Sequence, residues 1–200
     1  MKSAASKSHV AVFLDRDGTI NEQMGYINHL DRFVLLPNVA EAIRRINASG
    51  LKAIVVTNQS GASRGYFPME LIDQVHQKMC RLLEDEGAFL DGIYTCIHAP
   101  PREGKGEGCD CRKPGIGLMR QAADELELDL KKSYVVGDRF TDVETARNAG
   151  AKALLVLTGY GRGELEFLGP VSETKPDFIA EDLLEAVDWI LSHLRETAPL

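Results

Sequence analysis

The sequence predicts an α/β fold in which helices cover both faces of a central parallel sheet. Short apolar runs rich in β-branched residues recur along the chain, as in strands buried on both faces. Segments with apolar residues at helical spacing separate these runs, an alternation typical of a parallel sheet with right-handed crossovers. The 200 residues are 44% hydrophobic, which is enough for one well-buried domain. We expect this domain over residues 10–195, between tails at 1–9 and 196–200.

The first predicted strand ends in an acidic turn. Val10–Leu14 reads V-A-V-F-L, and D-R-D-G-T follows it at once. A carboxylate such as Asp15 can attack phosphorus, and a second acid two residues on, Asp17, can protonate the leaving oxygen and later activate water. Asp15 must then be ionised, a state that a divalent cation favours. Taken alone, D-x-D-G is also common in turns and in calcium-binding loops.

A helix is expected soon after this turn. Pro37 is predicted as its first residue and Gly50 as its end. The apolar positions that recur at helical spacing are Val39, Ala42, Ile43 and Ile46. Only about 17 residues separate Ile20 from this helix, too few for an additional folded domain. We therefore expect no separate cap domain at this point.

The second predicted strand, Lys52–Val56, also ends in polar residues. The sequence T-N-Q-S-G at 57–61 places a hydroxyl, amides and a glycine turn where phosphate oxygens could be held, although a plain polar turn would look the same. Pro68 is then expected to start a long amphipathic helix. Cys80 lies beside its apolar stripe and is expected to pack there.

Four cysteines raise the question of disulfides or metal binding. A third strand over Ile93–Ile97 leads into Cys96-Ile97-His98, and Cys109-Asp110-Cys111 follows ten residues later. Three thiols and one imidazole provide the four ligands of a tetrahedral zinc, and four protein ligands make such a site structural. The intervening Ala99–Gly108 has too little apolar surface to order itself, so the metal would hold it. The zinc would then fix where Arg112 and Lys113 point.

The next helix and strand end at another acidic residue. A helix around Leu118–Leu126 precedes a fourth strand over Ser133–Val136, and Gly137-Asp138 follows. Asp138 could share a hard cation with Asp15 and the backbone carbonyl of Asp17, and such oxygen ligands suit Mg²⁺. Asp142 could support that metal through water or serve only as an acid at a helix start.

The remaining elements complete the alternating pattern. Thr141-x-x-Glu144 is predicted as the capping box of a helix that ends at Gly150. Lys152–Leu157 is the fifth strand, and Gly159–Gly163 is expected to be a flexible loop on the site side, because it lacks the rest of a dinucleotide fingerprint. Asp177–Ala180 is expected as a short edge strand. A final amphipathic helix includes Leu183, Val187, Trp189, Ile190, Leu191 and Leu194.

Charge and hydropathy exclude several classes of protein. The formal net charge of −7 disfavours a nucleic-acid partner, which normally requires a basic surface. No run approaches the roughly 18 apolar residues of a membrane span, and Met1–His9 lacks the apolar core of a secretion signal. We expect a cytoplasmic monomer with a small-molecule substrate and no membrane partner.

Four motifs together resemble those of haloacid-dehalogenase-type phosphatases. They are D-x-D-G-T at Asp15–Thr19, V-V-T-N at Val55–Asn58, R-K-P at Arg112–Pro114 and G-D-R-F-T-D at Gly137–Asp142. They occur in the family's order, and the resemblance covers residues 8–195. It implies a three-layer Rossmann-like fold with the first strand central and the strand before Asp138 beside it. It also implies an aspartyl-phosphate on Asp15, acid and base roles for Asp17, phosphoryl stabilisation by Thr57 and Lys113, and Mg²⁺ on Asp15, Asp17 and Asp138.

Within this superfamily the sequence is most similar to the family of heptose bisphosphate and histidinol-phosphate phosphatases. That resemblance implies a sugar bisphosphate substrate, with histidinol phosphate as the alternative. The substrate-binding residues that it implies are Gln23, Met24, Gly25, Tyr26, Thr57, Asn58, Gln59, Ser60, Arg112, Lys113 and Arg139. Two further hypotheses remain open: a phosphatase for nucleic-acid 3′ ends, and a zinc-stabilised interaction module with a vestigial site.

Overall fold

A computed structural model of the chain describes residues 9–100 and 108–197. The strands are β1 (Ala11–Leu14), β2 (Lys52–Asn58), β3 (Gly92–Cys96), β4 (Tyr134–Gly137), β5 (Lys152–Val156) and β6 (Phe178–Ala180). They form one parallel sheet in the order β3-β2-β1-β4-β5-β6. The predicted parallel sheet is confirmed, with the first strand inside it and β4 as its neighbour.

Helices cover both faces of this sheet. They are α1 (Val39–Ala48), α2 (Glu70–Asp85), α3 (Gly117–Glu125), α4 (Phe140–Ala149), α5 (Gly161–Gly163, continued as a π-helix over Glu164–Leu168) and α6 (Leu183–Thr197). Apolar residues of α1, α2 and α6 pack on one face, and those of α3 and α4 pack on the other. The predicted three-layer architecture is therefore confirmed. Within the described part of the chain, every helix is too short or too polar to cross a membrane.

Strand β1 owes its central place to its composition. Val12 and Leu14 belong to the core on one face of the sheet, and Ala11 and Phe13 belong to the core on the other. All four side chains are fully buried. A strand that is apolar on both faces is stable only between two helical layers, which is where the structure places it.

The register of the sheet brings three strand ends to one edge. Leu14 lies opposite Val55 of β2 and Val136 of β4. The backbone N–H of Asp15 continues this ladder by donating to the carbonyl of Val136 at 2.9 Å. The polar residues that follow these three positions therefore meet at the carboxyl edge, where ligands bind in open α/β sheets.

Several predicted helix starts differ from the structure. Helix α1 begins at Val39, two residues after Pro37, because Asn38 has a left-handed backbone with φ of 64°. Helix α2 begins at Glu70 rather than at Pro68. The Thr141-Glu144 capping box is wrong because α4 already begins at Phe140. Asp142 makes the cap instead, accepting a hydrogen bond from the N–H of Arg139 at 3.1 Å.

The C-terminal elements agree with the sequence pattern. Strand β6 and helix α6 lie where an edge strand and a final amphipathic helix were expected. The ring of Trp189 stacks between those of Phe178 and His193, with centroids 5.2 and 5.0 Å away. Predictions for the tails at 1–8 and 198–200, and for residues 101–107 of the zinc loop, lie outside the described residues.

Candidate active site

A cavity of about 240 Å³ opens at the carboxyl edge of the sheet. Its walls come from the turns after β1, β2, β4 and β5 and from the segment before α3. The lining residues are Asp15, Asp17, Gln23, Gly25, Tyr26, Thr57, Asn58, Ser60, Arg112, Lys113, Arg139, Thr141 and Tyr160. Residues far apart in sequence therefore surround one space, large enough for a small polar ligand.

A buried lysine connects two carboxylates at the floor of this cavity. Lys113 Nζ lies 2.7 Å from Asp15 Oδ1 and 2.6 Å from Asp142 Oδ1. Burial alone would lower the pKa of Lys113, but Asp142 and Asp15 together raise it. The ammonium is therefore charged at any physiological pH. Burial raises the pKa of Asp15 to about 6, and it outweighs the opposing attraction of Lys113.

Asp138 lies beside Asp15 and is fully buried. Its Oδ2 accepts a hydrogen bond from the N–H of Tyr160 at 2.8 Å. Its Oδ1 is buried and has no hydrogen-bond partner among residues 9–100 and 108–197. Burial, reinforced by the charge of Asp15, raises the pKa of Asp138 to about 8. The described protein groups therefore do not fully neutralise the negative charge of Asp138.

These carboxylates fit a divalent cation. Oxygen atoms of Asp15, Asp138 and Asp142 all lie within 4.8 Å of one another. Three carboxylates share one ammonium, and the excess of two negative charges matches the charge of one Mg²⁺. The unpartnered Asp138 Oδ1 offers a ligand atom. Lys113 pairs with one oxygen of Asp15, whereas both oxygens of Asp142 are engaged, Oδ1 by Lys113 and Oδ2 by the N–H of Arg139. Asp15 and Asp138 are therefore the side chains suited to hold a cation.

Asp17 accepts hydrogen bonds on both oxygens of its carboxylate. Arg16 Nη2 donates to Oδ1 at 3.0 Å and to Oδ2 at 2.8 Å. Asn21 Nδ2 donates to Oδ1 at 3.0 Å, and Gln59 Nε2 donates to Oδ2 at 2.7 Å. The backbone carbonyl of Asp17 accepts from Gln23 Nε2 at 3.3 Å. Four donor contacts fix this side chain at the cavity wall.

The chain after β5 completes the site, although a flexible loop was expected there. Residues 161–168 are helical, so the loop expected over Gly159–Gly163 is limited to Gly159 and Tyr160, but the segment does lie on the site side. Gly159, with φ of 55°, packs so closely on Gly18 and Asp138 that a Cβ would collide with the Asp138 carboxylate. Thr158 Oγ1 also donates to the carbonyl of Gly18 at 2.6 Å. These contacts join the first site turn to the segment that follows β5.

Arg139 projects into the cavity from the start of α4. Its guanidinium lies 5.1 Å from the ring centroid of Tyr160, and its Nε lies 3.5 Å from Glu164 Oε1. The other oxygen of Glu164 accepts from the N–H of Phe140 at 2.8 Å. Tyr160 and Glu164 therefore support the conformation of Arg139.

Not every residue implied as substrate-binding lines the cavity. Met24 packs partly against the hydrophobic core, and Gln59 contacts Asp17 and also donates to Thr57 Oγ1 at 2.9 Å.

Asn58 lines the cavity, and its amide pairs with the backbone N–H and carbonyl of Lys113 at 3.2 and 3.4 Å. Asn58 therefore anchors the segment that carries the buried lysine.

The three cysteines and the histidine of the predicted zinc site form one cluster. Their ligand atoms lie within 4.8 Å of one another, with Cys96 Sγ 3.0 Å from Cys111 Sγ and His98 Nδ1 3.1 Å from Cys111 Sγ. Burial would raise the pKa of Cys109, but hydrogen bonds from Cys111 and Cys96 lower it to about 7. This donor set suits a thiophilic cation.

The cluster is directly coupled to the cavity. Arg112 and Lys113 follow Cys111 without an intervening residue, and Arg112 Nη1 donates to the carbonyl of His98 at 3.2 Å. A metal held by the cluster would therefore fix the backbone from which both cations extend.

Reasoning from the sequence missed Thr141 and Tyr160 as lining residues and the pairing of Asp142 with Lys113. Thr141 and Asp142 lie within the fourth motif, which was a usable signal. Tyr160 follows the end of β5, but only the packing of Gly159 against Gly18 brings it to the site.

Comparison with known proteins gives consistent results. A HAD-hydrolase-like family model matches residues 110–186. The D-glycero-D-manno-heptose-1,7-bisphosphate 7-phosphatase of Thermosynechococcus vestitus is 43% identical over 192 residues, covering 92% of this chain and 96% of its own. The D-glycero-β-D-manno-heptose-1,7-bisphosphate 7-phosphatase of Escherichia coli K12 is 38% identical over 195 residues, covering 96% of this chain and 93% of its own. The crystal structure of D,D-heptose 1,7-bisphosphate phosphatase from B. bronchiseptica with magnesium and phosphate has a TM-score of 0.81 at 34% identity, with 92% and 99% covered.

Proposed function

The chain belongs to the family of HAD-like D-glycero-D-manno-heptose-1,7-bisphosphate 7-phosphatases, and on this premise we propose that it hydrolyses the 7-phosphate of a heptose 1,7-bisphosphate. The products would be heptose 1-phosphate and inorganic phosphate. The observation that carries the proposal is the buried cluster of Asp15, Lys113 and Asp138 at the floor of a cavity rimmed by cations. The identity of the substrate is inferred from the names of relatives that match almost the whole chain.

In the first half-reaction, a carboxylate oxygen of Asp15 attacks the phosphorus of the 7-phosphate. A bond forms between this oxygen and phosphorus while the bond from phosphorus to the sugar oxygen breaks. Asp17, in its protonated form, gives its proton to the departing oxygen. Lys113 and Thr57 lie where they can stabilise the phosphoryl oxygens.

In the second half-reaction, Asp17 accepts a proton from water while the water oxygen attacks the aspartyl-phosphate. The bond between Asp15 and phosphorus breaks, which releases inorganic phosphate and restores the Asp15 carboxylate. Asp15 and Asp138, with the backbone carbonyl of Asp17, would hold Mg²⁺, which when bound neutralises charge on the phosphoryl oxygens. The relative from B. bronchiseptica was crystallised with magnesium and phosphate.

We also propose that the cluster of Cys96, His98, Cys109 and Cys111 holds a structural Zn²⁺. Four protein ligands leave no coordination position for a reacting water. The zinc would stabilise the segment that carries Arg112 and Lys113, and so contribute to catalysis only through their placement.

The cations at the rim favour a bisphosphate over histidinol phosphate. Arg112 and Arg139 both line the cavity together with Lys113, and the two lining carboxylates, Asp15 and Asp17, are assigned to the reacting phosphate. Guanidinium groups bind a second phosphate well, whereas they repel the ammonium group of histidinol phosphate. The geometry therefore supports the sugar bisphosphate.

The decisive experiment measures phosphate release with Mg²⁺ from the α and β anomers of heptose 1,7-bisphosphate and from histidinol phosphate. We expect kcat/KM for one heptose anomer to exceed that for histidinol phosphate by at least about 10²-fold. Zinc content, measured on the same sample, should be near one per chain. A preference for histidinol phosphate would contradict the proposed substrate.

A further inference from the structure

Arg16, within the first motif, is a buried cation that the proposed chemistry does not use. Its side chain is only 2% exposed and is among the largest fully buried side chains of the described residues. Its Nη2 binds both carboxylate oxygens of Asp17. A buried guanidinium is costly unless its donors are satisfied, and its Nε has no partner within the part of the chain that the structure describes. The remaining contacts of Arg16 therefore decide how firmly it is held.

The contact on the far side of this guanidinium is His76. His76 Nε2, on helix α2, lies 3.3 Å from Arg16 Nη1. Burial, together with the neighbouring Arg16 charge, lowers the pKa of His76 to about 4. The ring is therefore neutral at physiological pH. Because arginine has no acceptor, Nε2 must accept this hydrogen bond and Nδ1 must carry the proton.

We propose that His76 is a positioning residue for Asp17, acting through Arg16. The carboxylate of Asp17 accepts hydrogen bonds from Arg16 on both oxygens, from Asn21 on Oδ1 and from Gln59 on Oδ2. His76 holds the guanidinium from helix α2, so the helical layer and the first site turn share one chain of hydrogen bonds. This inference rests on the acid and base roles of Asp17 in the proposed function.

The chemistry makes this role measurable. Proton donation matters for a sugar alkoxide, which is a poor leaving group, but hardly for p-nitrophenolate, which departs without a proton. The parameter kcat/KM reports the first half-reaction, in which Asp17 acts as an acid. Loss of positioning should therefore reduce kcat/KM for the sugar phosphate much more than for p-nitrophenyl phosphate. A purely structural defect would reduce both equally.

The experiment compares His76→Leu, His76→Gln and His76→Asn with the wild type on both substrates. Leucine cannot accept the hydrogen bond, glutamine places an acceptor near the position of Nε2, and asparagine is too short. We expect H76L and H76N to lose roughly tenfold in kcat/KM on the sugar phosphate, with less than about twofold change on the aryl phosphate. H76Q should recover most of the loss. Asp17→Asn should show the same selectivity more strongly.

His193→Leu is the matched control, because it removes another histidine with a partly buried hydrogen bond, which His193 forms with Tyr134 away from the cavity. Equal losses on both substrates in H76L, or no loss on either, would overturn the positioning role. Should H76L fail to fold, the comparison of H76Q with H76N decides the question. Should the wild type cleave another sugar phosphate but not the heptose bisphosphate, the proposed function fails, and the same comparison made with that substrate still tests His76.

Discussion

Two clusters of side chains suited to bind a metal occur among residues 9–100 and 108–197, and they are built in opposite ways. The carboxylates of Asp15 and Asp138 directly follow two neighbouring central strands and are almost completely buried. Of the three cysteines and the histidine, only Cys96 belongs to a strand, and the other three lie in the connection between β3 and α3. The sheet thus places the first cluster, whereas most of the second lies on loop segments.

This difference predicts how each cluster depends on its metal. Burial raises the pKa of Asp15 to about 6 and of Asp138 to about 8, so the fold holds these groups close at an electrostatic cost. A cation there would relieve repulsion in a site that already exists. At the thiol cluster, by contrast, the metal would itself join ligands that come from two separate segments of the chain between β3 and α3.

The largest expected effect comes from removing the nucleophile. Asp15→Asn should reduce kcat on the order of 10³-fold or more, because the carboxylate that accepts the phosphoryl group is lost. The fold should remain intact, and the metal-free melting temperature at pH 8 should be unchanged or higher, because one buried charge is removed.

Asp31→Asn is the matched control for Asp15→Asn, because it removes the same charge from a side chain that is 90% exposed. It should leave turnover and melting temperature unchanged. Residual turnover of D15N within tenfold of the wild type would show that Asp15 is not the nucleophile.

The next effect tests the second cluster. Cys111→Ser should lower the zinc content to near zero and reduce kcat/KM by up to about 10²-fold, because Arg112 and Lys113 lose their anchor. Cys80→Ser, on helix α2, is the matched control and should retain both metal and activity. Metal analysis with kinetics and thermal melting on the same samples checks this. Full activity in a zinc-free C111S would break the proposed coupling.

A smaller effect is the pH dependence of stability that the carboxylates of Asp15 and Asp138 should cause. The raised pKa values mean that the folded protein binds protons between about pH 4 and pH 8 that the unfolded chain has released. The contribution of Asp15 and Asp138 to metal-free stability should therefore fall as pH rises through this window. His76 and Cys109, whose pKa values are lowered, act in the opposite sense, so the difference from Asp138→Asn isolates the effect of Asp138. Mg²⁺ competes with these protons, so the gain in melting temperature on adding Mg²⁺ should be larger at pH 8 than at pH 5. At 100 times its Kd, the ion would contribute about 2.7 kcal/mol, or roughly 5 °C or more.

Asp138→Asn provides the control for this pH effect. The variant lacks both the carboxylate with the higher pKa and a proposed ligand of the ion. It should be more stable than the wild type at pH 8 without metal and should gain little from Mg²⁺. A larger Mg²⁺ effect at pH 5 than at pH 8 in the wild type would contradict the role of these two carboxylates.

The same contrast explains what could be predicted from the sequence. Asp15 and Asp138 were predictable because each follows an apolar run, and parallel strands end at a common edge. The thiol cluster was predictable because the spacing of Cys and His in sequence is itself the signal. Both predictions depend on local pattern and on one general rule of sheet topology.

Contacts between distant segments could not be predicted in this way. The pairing of Arg16 with His76 joins residues 60 positions apart, and neither lies in a spacing pattern that points to the other. Tyr160 reaches Asp138 only because Gly159 packs against Gly18. Helix starts were misplaced for a related reason: proline fixes one backbone angle, but tertiary contacts decide where the first turn begins.

The smallest expected effect concerns Arg139 at the rim of the cavity and its ion pair with Glu164. Glu164 fixes Arg139 through one carboxylate oxygen and caps α4 through the other. Glu164→Gln keeps an acceptor for the N–H of Phe140 but removes the charge beside Arg139. Because the Arg139 side chain is 51% exposed, this ion pair contributes no more than about 1 kcal/mol. We therefore expect KM for the bisphosphate to rise up to about fivefold, with kcat unchanged.

Glu166→Gln, on the exposed side of the same helical segment, is the matched control for Glu164→Gln and should leave KM unchanged. A substrate analogue that lacks the second phosphate sharpens the comparison. If Arg139 binds that phosphate, E164Q should not raise KM for the analogue, because the interaction that Glu164 supports is already missing. An equal rise in KM for both substrates would instead show that Glu164 acts on the reacting phosphate. It would do so through the start of α4, where Glu164 caps Phe140 and the N–H of Arg139 donates to Asp142.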